Sequence, residues 1–379
     1  DAEREFDASI ETLFHYAAWA DKYEGPVHRP PMDSVVVTLH EPLGVIAIVC
    51  PDECPLLGLI ALAAPAICLG NRVVLLPSRK LPTVATDLYQ VLDTSDLPDG
   101  VVNIVTGSPR EIGAEITTNK KVRKITFTGS TETGKQLLCA AAGTVKRMSM
   151  ELGGNAPFIV FDDADIDAAV NGAIVAKFRN AGQTCICTNR LYVQSGIHDR
   201  FIARFAARAA ALCVEPGDEP GAEQGPLIDL AALTRIETFV ADAVAKGATL
   251  MTGGARHARG GLFYQPTVLT NAAPDMRFTA EEIFGPVAPV YRFDTEDEVI
   301  TAANATDYGL AAYAYTQGIA RMFRLQDRLE YGLIGINEVL IVTPEAPFGG
   351  LKESGLGKEG GWQGIEDYLE TKYTCIGGL

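Results

Sequence analysis

The stretch Phe178-Arg-Asn-Ala-Gly-Gln-Thr-Cys-Ile-Cys-Thr-Asn-Arg190 joins two predicted elements of an α/β fold. The apolar run 168–178 before it predicts a helix, and residues 191–193 after it predict a strand. The polar turn between them carries Cys185 and Cys187. We expect a cysteine at the tip of such a turn to be exposed, and a nearby helix end can lower its pKa.

Three interpretations of this cysteine pair remain open: a thiolate nucleophile, a buried structural cysteine, or half of a metal site. The metal interpretation is the weakest. No second cysteine pair and no histidine lies at ligand spacing, and the nearest histidine is His198. We therefore predict no metal site.

Length, composition and charge limit the classes of protein. With 379 residues the chain exceeds one usual hydrophobic core, so two or more domains are expected. The net charge of −16 argues against nucleic acid and anionic membrane partners. Eight irregularly spaced cysteines fit the reducing cytoplasm. No signal peptide is visible at the charged start, so none is expected. The longest apolar run, 56–69, is expected to be too short to span a membrane. Because the first residue is not Met, the chain is expected to be a fragment or a processed form.

Outward from the cysteine turn, strands and helices alternate, which is typical of a doubly wound parallel sheet with a ligand crevice at the carboxyl ends of its strands. A turn pattern at 40–43 predicts a hairpin of the strands on either side of it. The predicted helices are 6–23, 55–69 with a break at Pro65, 83–92, 112–117, 166–178 and 198–212. The predicted strands are 34–39, 44–49, 72–76, 101–105, 124–127, 158–161 and 191–193.

Two glycine-containing segments look like phosphate-binding loops. Gly129-Ser-Thr-Glu-Thr-Gly-Lys-Gln136 follows a predicted strand, but Gln136 stands where a nucleotide hydrolase needs Ser or Thr for Mg²⁺. A strand that leads through Gly-Ser into a helix still offers N–H groups to a phosphate. Gly355-Leu-Gly-Lys-Glu-Gly360 matches the dinucleotide fingerprint by letter, but no hydrophobic strand precedes it, so it is discarded.

Four motifs occur together between residues 150 and 352 of the chain. They are Met150-Glu-Leu-Gly-Gly-Asn155, Gly182-Gln-Thr-Cys185, Glu281-Glu-Ile-Phe-Gly-Pro286 and Pro347-Phe-Gly-Gly-Leu-Lys352. With them the chain resembles the NAD(P)-dependent aldehyde dehydrogenase superfamily over essentially its whole length. From about residue 124 it is most similar to succinate-semialdehyde dehydrogenases. Before about residue 107 it is more similar to the second module of the two-module aldehyde dehydrogenases, which suggests a mosaic, and family members have a longer N-terminal segment.

The resemblance implies the domain organisation of an aldehyde dehydrogenase. A Rossmann-type cofactor domain would comprise residues 1–152, and an α/β catalytic domain residues 153–352. Residues 353–379 would return to the cofactor domain. The hairpin 34–49 and the C-terminal strand would form a small strand-exchange element, so a homodimer or homotetramer is expected.

The resemblance also implies a reaction, the oxidation of a small aldehyde, in particular a semialdehyde such as succinate semialdehyde, with NADP or NAD. Cys185 matches the nucleophile and Glu151 the base that activates water. Arg179 matches one carboxylate-binding arginine of the semialdehyde enzymes. The matched cofactor contacts are Ser78, Arg79, Gly129, Ser130, Leu152, Glu282 and Phe284. The alternative interpretations are an exposed carboxylate at 151, and a surface acid and a core aromatic at 282 and 284.

The chain departs from the family's pattern at several positions. Glu53 replaces the Asn whose amide helps to form the oxyanion hole, and Leu76 replaces a cofactor-binding Lys. Arg79 replaces a ribose-binding Glu, which favours NADP. The second carboxylate-binding arginine would fall in 56–62, where there is none. Two alternatives therefore stay open: a catalytically impaired module with a structural or ligand-binding role, and thioester hydrolysis without cofactor.

Overall fold

The computed structural model describes residues 2–378. The helices are α1 (Ala2–Ala17), α2 (Leu57–Cys68), α3 (Pro82–Asp93), α4 (Pro109–Thr118), α5 (Thr131–Ala141), α6 (Ile166–Phe178), α7 (His198–Ala210), α8 (Leu230–Ala245), α9 (Arg277–Ala280), α10 (Glu296–Asn304), α11 (Ile319–Arg328) and α12 (Gly361–Glu366). The strands are β1 (Val27–His28), β2 (Ser34–Pro42), β3 (Val45–Val49), β4 (Arg72–Leu76), β5 (Val102–Ile104), β6 (Val122–Thr128), β7 (Arg147–Glu151), β8 (Ala156–Val160), β9 (Thr188–Gln194), β10 (Thr249–Thr252), β11 (Thr267–Thr270), β12 (Val287–Phe293), β13 (Tyr308–Gly309), β14 (Ala311–Tyr315), β15 (Leu333–Ile336), β16 (Leu351–Lys352), β17 (Gly355–Leu356) and β18 (Leu369–Gly377).

The chain folds into two compact units. One, here called the Cys185 unit, comprises Gly153–Ile341 and Gly350–Ser354. The other, the Glu151 unit, comprises Ala2–Leu152, Val342–Gly349 and the residues from Gly355 onward. Parallel strands connected through helices form the large sheets of both units, so the α/β fold class predicted from the sequence is confirmed.

The Glu151 unit is built on a six-stranded sheet with the order β17-β7-β6-β3-β4-β5. The inner strands are parallel, and β3 pairs with β4 on one side and β6 on the other. Strand β3 reads Val-Ile-Ala-Ile-Val and is buried along its middle, as expected for a strand covered on both faces. The strand order reverses between β3 and β6, and in such sheets ligands bind outside the carboxyl ends of the strands at this point.

A separate three-stranded sheet of the Glu151 unit has the order β1-β2-β18. Strand β2 pairs antiparallel with β18 along nine residues, whereas β3 belongs to the six-stranded sheet. The hairpin predicted over 34–49 is therefore wrong. Gly44, with φ of 119°, turns the chain from one sheet into the other. The apolar β3 is buried in the parallel sheet, while β2 keeps one face partly exposed.

The Cys185 unit is built on a seven-stranded sheet with the order β10-β11-β12-β9-β8-β14-β15. Strands β8 and β14 are buried throughout, and only β10 at one edge pairs antiparallel. A large apolar cluster that includes Phe239, Phe278 and Tyr291 fills the space between this sheet and its helices. The sheet places the amino end of β9 directly after the cysteine turn.

Several boundaries differ from the predictions. Helix α1 ends at Ala17 instead of continuing to residue 23, and α2 passes through Pro65 without a break. The C-terminal strand was predicted and is β18, whereas strand β7 and the elements between α7 and β18 were not predicted. Within residues 2–378 no helix is long and apolar enough to cross a membrane.

Candidate active site

Helix α6 delivers the chain to the cysteine turn. It starts at a good N-cap, because the Asp165 carboxylate accepts hydrogen bonds from the backbone N–H groups of Asp167 and Ala168. It ends at Phe178, and two of the next residues, Asn180 and Ala181, have φ of 52° and 54°. Left-handed backbone at a non-glycine residue costs roughly 1–2 kcal/mol per residue, so tertiary contacts must hold this turn.

Reciprocal hydrogen bonds hold the turn. The Asn180 side-chain amide donates to the Gln183 carbonyl at 3.0 Å, and the Gln183 amide donates back to the Asn180 carbonyl at 3.2 Å. Gln183 also accepts from the Ile228 N–H at 2.9 Å. Gly182 has φ of 71°, and a Cβ there would lie 2.3 Å from the Gly285 carbonyl oxygen. The turn therefore needs glycine at 182 and amide side chains at 180 and 183.

Cys185 lies half-buried at this turn, not exposed as predicted, because other loops pack against its backbone. The Cys185 carbonyl oxygen lies so close to Gly154 that a Cβ on that glycine would be 2.4 Å away. The Gly154 N–H in turn donates to the Glu282 carboxylate at 3.0 Å. Two predicted site residues, Cys185 and Glu282, therefore both contact the backbone of Gly154.

Cys187 has a different environment from Cys185. It is buried, and its thiol donates to the carbonyls of Lys177 and Thr188 at 3.3 and 3.6 Å. Burial raises the pKa of Cys187, opposed by the nearby charges of Lys177 and Arg179. A raised pKa keeps Cys187 a thiol, so of the pair Cys185 is the residue suited to nucleophilic attack.

Lys177 is a buried cation beside the cysteine turn that the sequence analysis missed. It is fully buried, donates to the Thr188 carbonyl at 2.9 Å and contacts the Cys187 thiol. Burial lowers the pKa of Lys177, and the neighbouring Cys187 and Glu282 oppose this. The available signal was that Lys177 is the one charged residue in the stretch 168–178, since a fully buried lysine almost always has a partner.

Arg179 lies half-buried immediately after α6. Its positive charge acts on Cys187 and on Tyr313, where it opposes the rise in the Tyr313 pKa caused by burial. The Tyr313 hydroxyl donates to the Ile186 carbonyl at 2.9 Å, so β14 is tied to the cysteine turn. The structure therefore places one predicted substrate-binding cation beside the cysteine turn.

A buried polar network supports the start of β9. Asn189 donates to Asn155 at 2.6 Å and accepts from the Ile283 N–H at 2.8 Å, next to Phe284, whose φ is 51°. The buried Arg190 donates to the backbone carbonyls of Asn155 and Ala303, both at 2.9 Å. Satisfied buried networks rigidify the backbone, so the loops that carry Cys185, Glu282 and Phe284 have a common rigid support.

Glu151 lies at the carboxyl end of β7 in the other unit and is 4% exposed. Its carbonyl accepts from the Gly129 N–H at 3.0 Å, and β17 pairs beside it. A Cβ on Gly349 would lie 2.8 Å from a Glu151 carboxylate oxygen, so this carboxylate packs against a bare stretch of backbone. The predicted base is thus a buried carboxylate rather than an exposed surface acid.

Gly129 and Ser130 form the exposed junction between β6 and α5. The Ser130 side chain caps α5 by accepting from the Thr133 N–H. The start of this helix lies at the carboxyl end of β6, beside the strand-order reversal, where a pyrophosphate is favoured by the helix dipole. Leu152 packs its side chain under Gly134 of α5, which leaves only its backbone for contact with a cofactor.

The loop after β4 carries the other predicted cofactor residues. Ser78 is buried and donates to Asp52, whose carboxylate also lies 3.3 Å from Lys80. Arg79 is exposed next to them. Leu76 is buried in β4 and supplies no cation there.

Glu53 lies half-buried in the loop between β3 and α2. The loops after β3, β4 and β6 all lie at the carboxyl ends of the strands of one sheet. This place combines the reversal of strand order, a helix N-terminus and the cations Arg79 and Lys80. Such a combination fits a dinucleotide, which carries phosphates. For metals, no group of three His, Cys, Asp or Glu side chains suited to a metal ion occurs within residues 2–378.

Comparisons with known proteins agree with this geometry. The aldehyde dehydrogenase family pattern matches residues 1–374. A glutarate-semialdehyde dehydrogenase of Pseudomonas aeruginosa is 49% identical over 93% of this chain and 73% of its own length. A succinate-semialdehyde dehydrogenase [NADP(+)] of Escherichia coli is 48% identical over 91% of this chain and 72% of its own.

A solved structure gives the same result for the fold. The crystal structure of succinate-semialdehyde dehydrogenase from Burkholderia pseudomallei superimposes with a TM-score of 0.98 at 46% identity, covering 100% of this chain and 79% of that one. The resemblance inferred from the four motifs is thereby confirmed, and the chain belongs to the aldehyde dehydrogenase family of oxidoreductases.

Proposed function

We propose that this chain oxidises a small aldehyde that carries a carboxylate, such as succinate or glutarate semialdehyde, to the dicarboxylate, with NADP or NAD as hydride acceptor. The observation that carries the proposal is the rigid turn that includes the cation Arg179 and leads to half-buried Cys185, since both residues act electrostatically on Tyr313. The similarity to a glutarate-semialdehyde and a succinate-semialdehyde dehydrogenase supports the same substrate class.

The first step is nucleophilic attack. The Cys185 thiolate adds to the aldehyde carbon and forms a thiohemiacetal, and the aldehyde oxygen becomes an oxyanion. The backbone N–H of Cys185 is one donor to this oxyanion. We assign the second position to Glu53, where an ionised carboxylate can only accept hydrogen bonds. Catalysis should therefore be slower than with an amide at this position.

When bound, a nicotinamide cofactor would supply the hydride acceptor for oxidation of the thiohemiacetal. Residues at the strand-order reversal and beside the cysteine turn would hold it. Gly129 and Ser130 suit the pyrophosphate, and Ser78 with Arg79 suits the adenosine ribose. Glu282 would hold the nicotinamide ribose, beside Phe284 and the backbone of Leu152.

Glu151 acts after oxidation, when the substrate is a thioester on Cys185. Its carboxylate takes a proton from water, and the water oxygen attacks the thioester carbon. The carbon–sulfur bond breaks, which releases the acid and returns Cys185 as thiolate.

Arg179 gives the substrate preference. A charge-assisted hydrogen bond to the distal carboxylate contributes about 1.5–3 kcal/mol, so Arg179→Gln should raise KM for succinate semialdehyde by about ten- to a hundredfold. The KM for butanal, an uncharged aldehyde of the same length, should stay unchanged. Steady-state kinetics with both aldehydes test this. An equal rise in both KM values would mean that Arg179 only supports the turn.

The remaining assignments are also proposals. We assign cofactor binding to the Glu151 unit and catalysis to the Cys185 unit. We infer a homodimer or homotetramer, because β18 is a nine-residue edge strand that is exposed along most of its length, and such edges are usually covered. The cytoplasm is the expected compartment, because the irregular spacing of the eight cysteines does not resemble a disulfide framework.

An impaired module is the second candidate. Buried Leu76 and acidic Glu53 favour it, because one removes a cation from the cofactor loop and the other an oxyanion donor. Titration calorimetry with NADP and NAD separates the candidates. Saturable binding of either supports the dehydrogenase, whereas no heat at millimolar cofactor contradicts it and leaves an impaired module or cofactor-free thioester hydrolysis.

A further inference from the structure

A basic cleft of about 470 Å³ lies on the Glu151 unit, away from the predicted cofactor edge. Its charged lining consists of four cations, Lys120, Arg123, Lys146 and Arg147, and one carboxylate, Glu370. The whole chain carries a net charge of −16, so this cleft departs locally from an acidic protein. A concave site with such a charge surplus attracts anions.

The single carboxylate neutralises only part of this charge. Glu370 accepts from Arg147 at 2.8 Å, and its other oxygen lies 3.9 Å from Arg123. Arg147 also donates to the Leu369 carbonyl at 2.7 Å, so its guanidinium is held in place. The positive charges of Lys120, Arg123 and Lys146 exceed what Glu370 can balance.

Lys146 is fixed in the wall of the cleft. Its ammonium donates to the carbonyls of Asn119 and Val122 at 2.8 and 3.1 Å, which occupies two of its three N–H groups. Burial and the positive charge of Arg123 lower the pKa of Lys146. Two cations held this close repel one another, and an anion between them would remove the repulsion.

The turn that positions Lys146 is strained. Val145 precedes it with φ of 49° and a 92% exposed side chain. A β-branched residue with positive φ is an outlier, and such strain of about 1–3 kcal/mol persists where function or surroundings demand it. The strained turn is therefore a second sign that the cleft is a constrained site.

The cleft differs in location from the predicted cofactor site. Val122 and Arg123 begin β6 and Arg147 begins β7, whereas Gly129 and Ser130 follow the carboxyl end of β6. Seven residues of extended strand span about 23 Å. The two sites thus lie at opposite ends of the strands of one sheet.

We propose that this cleft binds a small polyvalent oxyanion, which is either a phosphate-bearing or a polycarboxylate metabolite. Arg123 and Arg147 suit bidentate contact with planar or tetrahedral oxyanions, and Lys120 and Lys146 add point charges. The site is separate from the aldehyde chemistry and needs neither Cys185 nor a bound cofactor.

Titration calorimetry on the full chain tests this with two probes, inorganic pyrophosphate and citrate, against chloride at matched ionic strength. We expect one saturable site per chain for at least one probe, and the stronger probe identifies phosphate or carboxylate chemistry. Lys120→Gln/Arg123→Gln, which changes two exposed side chains, should weaken binding by about tenfold or more. If the pair impairs folding, Lys120→Gln alone replaces it with a smaller expected loss.

Lys121→Gln is the matched control, because Lys121 is an exposed neighbour outside the cleft. It should bind as the unchanged protein does. No saturable heat with either probe, equal loss in the control, or full binding in the double variant would each overturn the proposal. Sedimentation with and without pyrophosphate should agree, and dissociation by pyrophosphate would instead identify the cleft as a contact between copies.

Discussion

The cysteine turn and the loop after β4 hold their functional side chains in opposite ways. At the turn, left-handed backbone at Asn180 and Ala181 is fixed by reciprocal amide bonds and by a glycine without room for a Cβ. In the loop, exposed Arg79 lies next to Lys80, whose ion pair with Asp52 is partly exposed. Surface ion pairs of this kind contribute only about 0–1 kcal/mol.

This difference explains where the chain departs from its family's pattern. Backbone geometry at the cysteine turn admits few side chains, and there the motif residues are present. The departures at Glu53, Leu76 and Arg79 all lie in or next to the loops after β3 and β4. We infer that the charge of side chains in these loops can change with little loss of stability. Such changes would instead alter catalysis and the choice of cofactor.

Gly182→Ala should disrupt the cysteine turn and cause the largest loss of stability. The new Cβ would meet the Gly285 carbonyl at 2.3 Å, and positive φ adds strain, for a total of about 2–5 kcal/mol. Gly221 is the matched control, since its φ is 83° but nothing lies within 4 Å. Urea unfolding should show a clearly larger loss of unfolding free energy for Gly182→Ala than for Gly221→Ala. Equal losses would mean that the turn is free to adjust.

Glu53→Asn tests the loop after β3, where a change of charge should alter catalysis more than stability. An amide can donate to the oxyanion where an ionised carboxylate cannot, so kcat should rise by roughly tenfold. Asp52→Asn makes the same charge change one residue away, in a side chain already engaged by Ser78 and Lys80. Its kcat should not rise. If Glu53→Asn leaves kcat unchanged while cofactor still binds, Glu53 does not occupy the oxyanion position.

Glu359→Gln tests a buried carboxyl group of the Glu151 unit, and its expected effect on stability depends on pH. Burial raises the pKa of Glu359 to about 7, and the charge of Lys124 opposes this. One of its oxygens is buried without a hydrogen-bond partner among the described residues. Tyr16 and Tyr368 also face it, and Asp367 lies 3.5 Å from Lys124 and stays its counter-ion.

The raised pKa of Glu359 determines whether stability rises or falls with pH. The Glu359 carboxyl ionises near pH 4.5 in the unfolded chain and near pH 7 in the folded chain. The free energy of unfolding of the wild type therefore falls as the pH rises through that interval. Glu359→Gln cannot ionise, so its stability relative to wild type should increase between about pH 4.5 and 7 and level off above. Urea midpoints of both proteins across this range test this. A constant difference would contradict it.

Local patterns predicted much of the fold, and pairing between distant segments accounts for what they missed. Helix α6 and strand β4 have the predicted bounds, because both are apolar runs with clear ends. Strand β7 reads Arg-Met-Ser-Met-Glu, a short alternation without β-branched or aromatic residues that gives only a weak local signal. Its pairing with β6 and β17 makes it a strand. The hairpin at 34–49 failed for the same reason, because neighbours in sequence joined different sheets.

At the candidate site, the motifs led to Cys185, Glu282 and Arg179, which the structure places around one turn. Lys177 was missed because its significance comes from burial against Cys187, which spacing alone does not reveal. The catalytic roles of Cys185, Glu151 and Glu53 stay predictions until kinetics test them.

The most direct test traps the intermediate on the nucleophile. In Glu151→Gln, attack and hydride transfer can proceed but deacylation cannot, so succinate semialdehyde with NADP or NAD should leave a thioester on Cys185. Intact mass and peptide mapping should show the succinyl adduct on the Cys185 peptide only when cofactor is present. The adduct should be absent when Cys185→Ser is added, and present when exposed Cys139 is changed instead. No adduct, or an adduct on another cysteine, would contradict the account.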